Sequence, residues 1–325
     1  IVKVFICSLA VFVVAGVSGY FMNSFESMLV GRFILGIGIA GISLATTGLI
    51  AGYYTGMNRA KVIGYQSAAM GAGVLFLETA GGGLADIGWR EPFLIYLIGV
   101  PIIITALVAV RMPSDHAARH GTLSETLSET PSKSNRMVIA CYLAIFLAMF
   151  MMFALPTNMP FQITQMGYNL TVCGLLLGAL GVSQAACSLV YSRSNNKLSD
   201  TGAYAVSFAL IGIGCCILGV PHILSAVAAM VFVGVGMGIV GPTVIGRLVT
   251  ISRSGNSGKV MGGYSVAFNM GVFCSSLIIT PAIGVLGSYS NAFFAIGATA
   301  LAVCAVCACC QLRASKIPRH PDQTD

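Results

Sequence analysis

The chain has 325 residues, of which 57% are hydrophobic and only 8% are Asp, Glu, Lys or Arg. Its formal net charge at pH 7 is +7, but the basic residues form no patch on a polar face, so the charge does not indicate a nucleic-acid-binding protein. The charged residues fall between long apolar stretches instead, as the lipid bilayer requires of a protein dissolved in it. The composition therefore excludes an ordinary water-soluble domain.

Ten apolar stretches of about 20 residues follow one another, each long enough to cross a hydrocarbon layer of about 30 Å as a helix. Their residues are apolar on nearly every face, whereas a barrel strand alternates apolar and polar residues. The sequence therefore predicts an all-α polytopic membrane protein. The predicted spans are 4–22, 28–52, 63–85, 93–111, 137–158, 171–192, 203–220, 224–250, 260–283 and 291–311.

The basic residues predict the orientation of these spans. If the first span starts inside the cell, 15 of the 17 Lys and Arg residues lie on the inner side, with Arg90 outside and Arg32 within a span. Basic residues accumulate on the cytoplasmic side of membrane proteins. We therefore expect a multi-pass protein of the cell inner (cytoplasmic) membrane with both termini in the cytoplasm.

The sequence favours neither a metal site nor an enzyme. Most of the eleven Cys residues lie inside spans as small apolar side chains, and the helix that carries Cys304, Cys307, Cys309 and Cys310 offers no His or carboxylate as a further ligand. The four His residues fall in loops or in the tail, and no nucleophile lies beside a general base. We expect no metal, no cofactor and no catalytic residue.

The sequence repeats itself with a shift of 198 positions, which carries Lys61 onto Lys259 and Gly36 onto Gly234. The shift crosses six spans, an even number, so the two halves have the same orientation in the membrane. Parallel halves of this kind are one known transporter plan. Because the second half has six spans and the first has four, we expect two further helices, in about 61 residues, to precede Ile1.

The repeat predicts how the chain is divided. The polar segment between the halves contains Pro, Ser and Thr, which is typical of a flexible linker. The predicted parts are an incomplete N-terminal bundle of four helices (1–111), a cytoplasmic linker (112–136), a C-terminal six-helix bundle (137–311) and a cytoplasmic tail (312–325).

Glycines recur within several spans. The segment 36–41 matches a dinucleotide-binding fingerprint, but no strand precedes it and it lies inside an apolar helix. Glycines in such a helix let neighbouring helices approach closely. We expect this helix-packing role for Gly36, Gly38, Gly64, Gly73, Gly81 and Gly82.

Two of the spans resemble motifs of the major facilitator superfamily. The segment 31–40, with Arg32 inside a span, resembles the fourth-helix motif of that family, and the glycines of 64–82 resemble the fifth-helix motif of its drug:proton antiporters. The segment 85–93 is similar to bacterial efflux members. The chain resembles family helices three to twelve over essentially its whole length. The resemblance implies a fold of two six-helix bundles, alternating access to a central site, and a proton gradient as the energy source.

Within the predicted spans, Arg32 and Glu78 are the only clearly buried ionisable residues. Such residues are costly in lipid and indicate function by default. Burial disfavours a charged carboxyl group, whereas a nearby arginine favours it. We therefore predict that Glu78 takes up and releases a proton as the carrier alternates, with Arg32 as its partner at a similar depth. The alternatives are a static pair that fixes helix packing and an Arg32 that extends to the membrane surface.

The substrate cavity is predicted from pliable and aromatic side chains and a few neutral polar ones. Met and aromatic residues suit adaptable apolar sites, although they suit ordinary core or lipid-facing surfaces equally. The candidates are Gln66, Phe146, Met149, Phe150, Phe153, Tyr264 and Asn269.

The sequence thus predicts a transporter, acting as a monomer, that exports small amphipathic compounds by proton antiport. One alternative is a symporter or facilitator for metabolite uptake. A second is a membrane protein that senses or binds a ligand without transporting it.

Overall fold

The structure, a computed structural model, describes residues 2–54, 56–109, 132–193, 199–251 and 257–315. All regular elements in these ranges are helices, which confirms the predicted all-α class. The helices group into two compact units, called here unit 1 (within residues 1–124) and unit 2 (within residues 125–325). Most of the predicted linker 112–136 and of the predicted tail 312–325 lies outside the described residues.

Each of the ten predicted spans coincides with helical structure, the fourth with a 3₁₀ helix that continues directly into an α-helix. Unit 1 contains α1 (Val2–Phe21), α2 (Phe25–Tyr53), α3 (Gly56–Ile87), the 3₁₀ helix (Glu91–Ile98) and α4 (Gly99–Ala109). Unit 2 contains α5 (Ser132–Gln165), α6 (Leu170–Arg193), α7 (Asp200–Leu218), α8 (Ile223–Ile251), α9 (Ser257–Leu286) and α10 (Tyr289–Ser315).

Nine helical segments of the described chain are long and apolar enough to cross a membrane, against ten predicted spans. Helix α3 covers the third predicted span, but several of its residues lie outside what the structure describes in full, so the number nine does not bear on that span. The helix itself forms as predicted.

The ends of several helices follow from local sequence. Ser24 and Ser199 cap α2 and α7, where each hydroxyl accepts a hydrogen bond from a backbone N–H of the first turn at 3.2 Å. Gly167 and Gly287 follow the ends of α5 and α9 with positive φ angles of 85° and 76°. Glycine adopts this left-handed conformation without a steric penalty, so both helices stop there and the chain turns back.

Helix α5 extends to Gln165, beyond the predicted end at residue 158. Pro156, Pro160 and nearby polar residues indicate a span end in the sequence, yet the polar side chains bond to backbone carbonyls. Asn158 donates to the carbonyl of Ala154 at 3.0 Å, and Gln162 donates to the end of α7 at 3.0 Å. Because both amide nitrogens donate to backbone carbonyls, the helix continues through both prolines, although the buried Gln162 Oε1 has no hydrogen-bond partner among the described residues.

The helix bounds repeat with the same shift as the sequence. Helix α2 shifted by 198 positions has the bounds of α8, and α1 shifted likewise begins where α7 begins. The packing repeats as well, since α1 packs on α2 and on the 3₁₀ helix, just as α7 packs on α8 and α10. Unit 1 and the last four helices of unit 2 are therefore two versions of one arrangement.

The buried core is much larger in unit 2. A continuous cluster of apolar residues joins α5 to its neighbours, and its largest fully buried side chains include Phe208, Phe293 and Met230. In unit 1 the buried apolar residues are few, among them Leu9, Leu35 and Phe93. Unit 1 therefore leaves more of its helix faces uncovered within the described residues.

Candidate functional site

Arg32 lies on α2 in contact with two aromatic rings of the 3₁₀ helix. Its Nη1 donates a hydrogen bond to the Tyr96 hydroxyl at 2.9 Å. Its guanidinium carbon lies over the rings of Phe93 and Tyr96, at 4.7 Å and 5.8 Å from their centroids. Both distances are within the range of cation–π attraction, which is worth about 0.5–2 kcal/mol depending on desolvation. The arginine is thus fixed at the point where α1, α2 and the 3₁₀ helix meet.

Two glycines of α1 make room for these rings. A Cβ atom at Gly16 would lie 2.2 Å from the Tyr96 ring, and one at Gly19 would lie 2.2 Å from the Phe93 ring. Any other residue at either position would displace a ring. Phe12 adds an edge-to-face contact with Tyr96, with ring centroids 5.1 Å apart. The glycines at spacing three on α1 thus match the aromatic residues at spacing three on the 3₁₀ helix.

Glu78 does not meet Arg32 in this structure. It is exposed on α3, and among the described residues neither side chain has an oppositely charged partner within 4.0 Å. Helix α3 approaches the 3₁₀ helix through Gly81, where an added Cβ would lie 3.5 Å from the side chain of Ile95. With three residues per turn, Ile95 is on a different face from Phe93 and Tyr96. The expected contact at similar depth is therefore not formed: Arg32 contacts Phe93 and Tyr96, while α3 meets the other face of the 3₁₀ helix through Gly81.

The cavity candidates of α5 lie where that helix packs on α9. The backbone of Phe146 and the side chain of Met149 abut Gly271 of α9, where an added Cβ would lie 2.5 Å from the Phe146 carbonyl. Phe146 stacks on Phe150 with ring centroids 6.3 Å apart. Met149 is buried in the core, and Phe150 and Phe153 are half-buried against it. Phe146 is also half-buried. Met149 therefore has the environment of an ordinary core residue in unit 2.

The remaining cavity candidates have varied surroundings. Tyr264 is half-buried on α9, with its ring 6.2 Å from that of Phe268. Asn269 is exposed on α9 and donates to the carbonyl of Ser265 at 2.8 Å. Gln66 is half-buried on α3. The structure thus brings the α5 and α9 candidates onto one pair of helices but places Gln66 in the other unit.

The glycines expected to pack helices differ among themselves. Gly38 lies against the backbone of α1, where an added Cβ would be 3.0 Å from the Phe12 nitrogen. Gly81 makes an ordinary contact, and Gly82 is half-buried. Gly36 and Gly73 have no neighbouring atom of the described chain within 4 Å of an added Cβ, so the close approach expected at these two positions is not seen. The surroundings of Gly64 lie outside what the structure describes.

The sequence interpretation missed two features. It did not identify Phe93 and Tyr96 as the partners of Arg32, although the matching spacings of glycines on α1 and aromatic residues after α3 carry that signal. It also missed the ion pair between Arg247 Nε and Asp200 Oδ2, 3.0 Å apart and partly exposed, at adjoining ends of α8 and α7. No spacing rule connects those last two residues. Within the described ranges, His, Cys and carboxylate side chains form no group that could hold a metal ion.

Comparison with known proteins identifies the family to which this architecture is similar. The Major Facilitator Superfamily model matches residues 2–186 and 141–324. No curated protein is significantly similar in sequence to the chain.

Solved structures show the same fold at low sequence identity. A POT family transporter in complex with 5-aminolevulinic acid superposes with a TM-score of 0.77 at 10% identity, over 97% of this chain and 82% of that one. The peptide transporter POT gives 0.74 at 10% identity, over 98% and 81%. The human organic anion transporter MFSD10 gives 0.68 at 15% identity, over 94% and 76%.

The resemblance to the superfamily is therefore confirmed, while the narrower resemblance to its drug:proton antiporters stays a prediction. The predicted multi-pass membrane protein with a transporter fold is likewise confirmed. The family matches across both units, and the repeated helices are those of its solved members: the chain belongs to the major facilitator superfamily of membrane transporters.

Proposed function

We propose that the protein exports small amphipathic compounds across the cell inner membrane in exchange for protons, by alternating access. Membership of a transporter family supports transport itself. The observation that carries proton coupling is Glu78, a carboxyl group in the outer half of a predicted span with no ion-pair partner among the described residues. An ionisable group is costly in such a place and is normally retained for function.

In this proposal Glu78 is the group that holds the proton. A carboxyl group without a cationic partner is most stable in lipid when it is neutral. A conformation that exposes it to water, or that brings Arg32 to it, favours the charged form and releases the proton. Because Arg32 is held by Phe93 and Tyr96 in the described conformation, we assign that conformation to the proton-loaded state.

The amphipathic nature of the cargo is proposed from the candidates of unit 2. Helix α5 carries three aromatic side chains, Phe146, Phe150 and Phe153. Tyr264 lies on α9, the helix packed against α5. Aromatic side chains of this kind bind apolar groups without demanding one shape, and Asn269 offers an exposed amide. These residues suit a cargo with an apolar body and a small polar part.

Everted membrane vesicles test the direction and the coupling together. With an acidic lumen, export by antiport predicts that a lipophilic fluorescent compound accumulates inside and leaves when the gradient is collapsed. Glu78→Gln keeps the shape of the side chain but cannot lose a proton, so we expect gradient-driven accumulation to fall at least tenfold, to the level of vesicles without the protein.

Downhill exchange of the same compound supplies the control. Glu78→Gln should still exchange labelled compound between equal concentrations on the two sides, because that exchange needs no net proton movement. Asn269→Ala should instead change the apparent affinity and leave the coupling ratio intact. Undiminished gradient-driven accumulation by Glu78→Gln would remove Glu78 from the mechanism.

A second candidate is proton-linked uptake of a metabolite. It is favoured by the similarity of fold to a POT family transporter whose structure contains 5-aminolevulinic acid. Uptake predicts the opposite gradient dependence: an acidic lumen in everted vesicles would drive the substrate out of the lumen. The same vesicle experiment therefore separates the two candidates.

A further inference from the structure

We propose that Arg32 binds the carboxylate of an amphipathic organic anion, so that the transported compounds include anions with an apolar body. This inference rests on the proposed function for the identity of the ligand as a substrate. The site itself is argued from the contacts of Arg32, from the corresponding position in unit 2 and from the surface of α2 around it.

The first observation is a fixed charge without a counter-ion. The Arg32 guanidinium has one hydrogen bond, to Tyr96, and lies over two ring faces. The rings and the hydroxyl group carry no negative charge, and within the described ranges no carboxylate lies at ion-pair distance from Arg32. A guanidinium carries five N–H donors, so most of them lack an acceptor among the residues that the structure describes. An arginine without a counter-ion is costly inside a membrane span, and binding an anion would lower that cost.

The second observation is that the fold does not need an arginine there. The 198-residue shift carries Arg32 onto Met230 of α8, which is fully buried at 0% exposure. The same shift carries Phe93 onto Asn291 and Tyr96 onto Phe294. Unit 2 thus builds the same helix arrangement with an apolar side chain at this point. The cation and the tyrosine hydroxyl are features of unit 1 alone, which indicates a role other than packing.

The third observation is that the arginine is held in place before any ligand arrives. Gly16 and Gly19 seat the two rings against α1, and the rings together with the Tyr96 hydroxyl hold the guanidinium. A side chain fixed in this way loses less conformational entropy when a ligand binds. Guanidinium groups bind carboxylates through two parallel hydrogen bonds, which is the strongest form of this contact.

The surroundings favour an anion with an apolar body over a small inorganic one. One turn before Arg32 on α2, Leu29 is 61% exposed, and one turn after it Gly36 has open space at its Cβ position. Phe33, the next residue, is also exposed. An apolar group attached to the carboxylate would lie along this apolar surface, whereas a small inorganic anion would make no contact with it.

The test uses Trp89, the one tryptophan of the chain, as an energy donor. Trp89 is exposed and precedes Phe93 by a single turn. Dansylglycine carries a carboxylate, and dansylglycinamide is its neutral counterpart of nearly the same shape. With protein in phosphatidylcholine vesicles, we expect saturable energy transfer from Trp89 to dansylglycine and affinity for the amide lower by about tenfold or more.

Variants assign the difference to Arg32. Arg32→Gln should bind both probes with the affinity of the amide, whereas Arg32→Lys should keep part of the preference for the carboxylate. Arg136→Gln, which removes the same charge from an exposed position on α5, should bind as the unaltered protein does. The comparison of the two probes on the unaltered protein does not depend on any variant folding.

Three outcomes overturn the proposal. Equal affinity for the two probes means that no anion is recognised, and an unchanged preference in Arg32→Gln means that the anion binds elsewhere. Loss of the preference when phosphatidylglycerol is added to the vesicles means that Arg32 binds lipid headgroups. Binding needs no gradient, so carboxylate binding at Arg32 without proton-driven flux would reject the proposed function and leave the site intact.

Discussion

Unit 1 and unit 2 contain the same four-helix arrangement, with helices that begin and end at equivalent positions. The interiors differ at matched points. Gly234 lies against α6, where an added Cβ would be 2.6 Å from the Leu180 carbonyl, whereas the equivalent Gly36 has open space. Met230 is fully buried, whereas the equivalent Arg32 is exposed and held by aromatic rings. The two units thus share helix lengths and packing partners, whereas the side chains at the matched contact points differ in size, charge and burial.

Exchanging the residues at the matched positions 32 and 230 should give the largest change in the free energy of unfolding. Met230→Arg places an unpaired cation in the core of unit 2, and we expect a loss of about 3–5 kcal/mol in the free energy of unfolding. The unfolding midpoint in detergent measures it. Arg32→Met, the reciprocal change, should lower that midpoint much less, because it removes ring contacts worth about 0.5–2 kcal/mol and leaves no buried charge. Similar losses from both changes would show that the arginine is structural.

Adding bulk at the matched glycines should have a smaller effect. Gly234→Leu forces α8 away from the backbone of α6, so we expect a loss of about 1–3 kcal/mol, as for other overpacked cores. Gly36→Leu should change the same free energy by less than about 1 kcal/mol, because nothing described lies within reach. Thermal unfolding of the two variants side by side provides the measurement. A destabilised Gly36→Leu would mean that this face of α2 is packed in the folded protein.

Breaking the ion pair of unit 2 should have the smallest effect on the free energy of unfolding. Asp200 and Arg247 are 43% and 35% exposed, and unit 1 has Val2 and Leu49 at the equivalent positions. Partly exposed pairs contribute about 0–1 kcal/mol, so Asp200→Asn should lower the unfolding midpoint only slightly. High salt should reduce that difference further. A large, salt-independent loss would contradict this assignment and point to a role in holding α7 and α8 together.

The sequence predicts the helices well because each span must be apolar along its length, a property visible in any short window. It predicts the parallel repeat because Gly and Lys recur at a constant shift. It does not predict where α5 ends, since Pro156 and Gln162 look like a span boundary until their backbone and cross-helix bonds are known. In this part of α5, polar residues and prolines therefore do not mark the end of the helix.

The candidate site was predicted only in part. Arg32 and Glu78 stand out because charge is rare inside a span, but their contacts depend on residues far along the chain. Equal depth in the membrane suggested that they meet, whereas the rotation of the 3₁₀ helix directs Arg32 to Phe93 and Tyr96 instead. Depth follows from counting residues, but the direction of a side chain around its helix axis depends on packing that no local pattern records.

The 3₁₀ helix at 91–98 also determines how far its segment can reach across the membrane. A 3₁₀ helix rises about 2.0 Å per residue, compared with about 1.5 Å in an α-helix. The tighter coil therefore stretches the segment from Glu91 to Ala109 to roughly 32 Å, a few ångströms more than the same residues would reach if wound as α-helix throughout. That gain is enough to bring this short segment up to the width of the hydrocarbon layer, at about 30 Å, without adding residues.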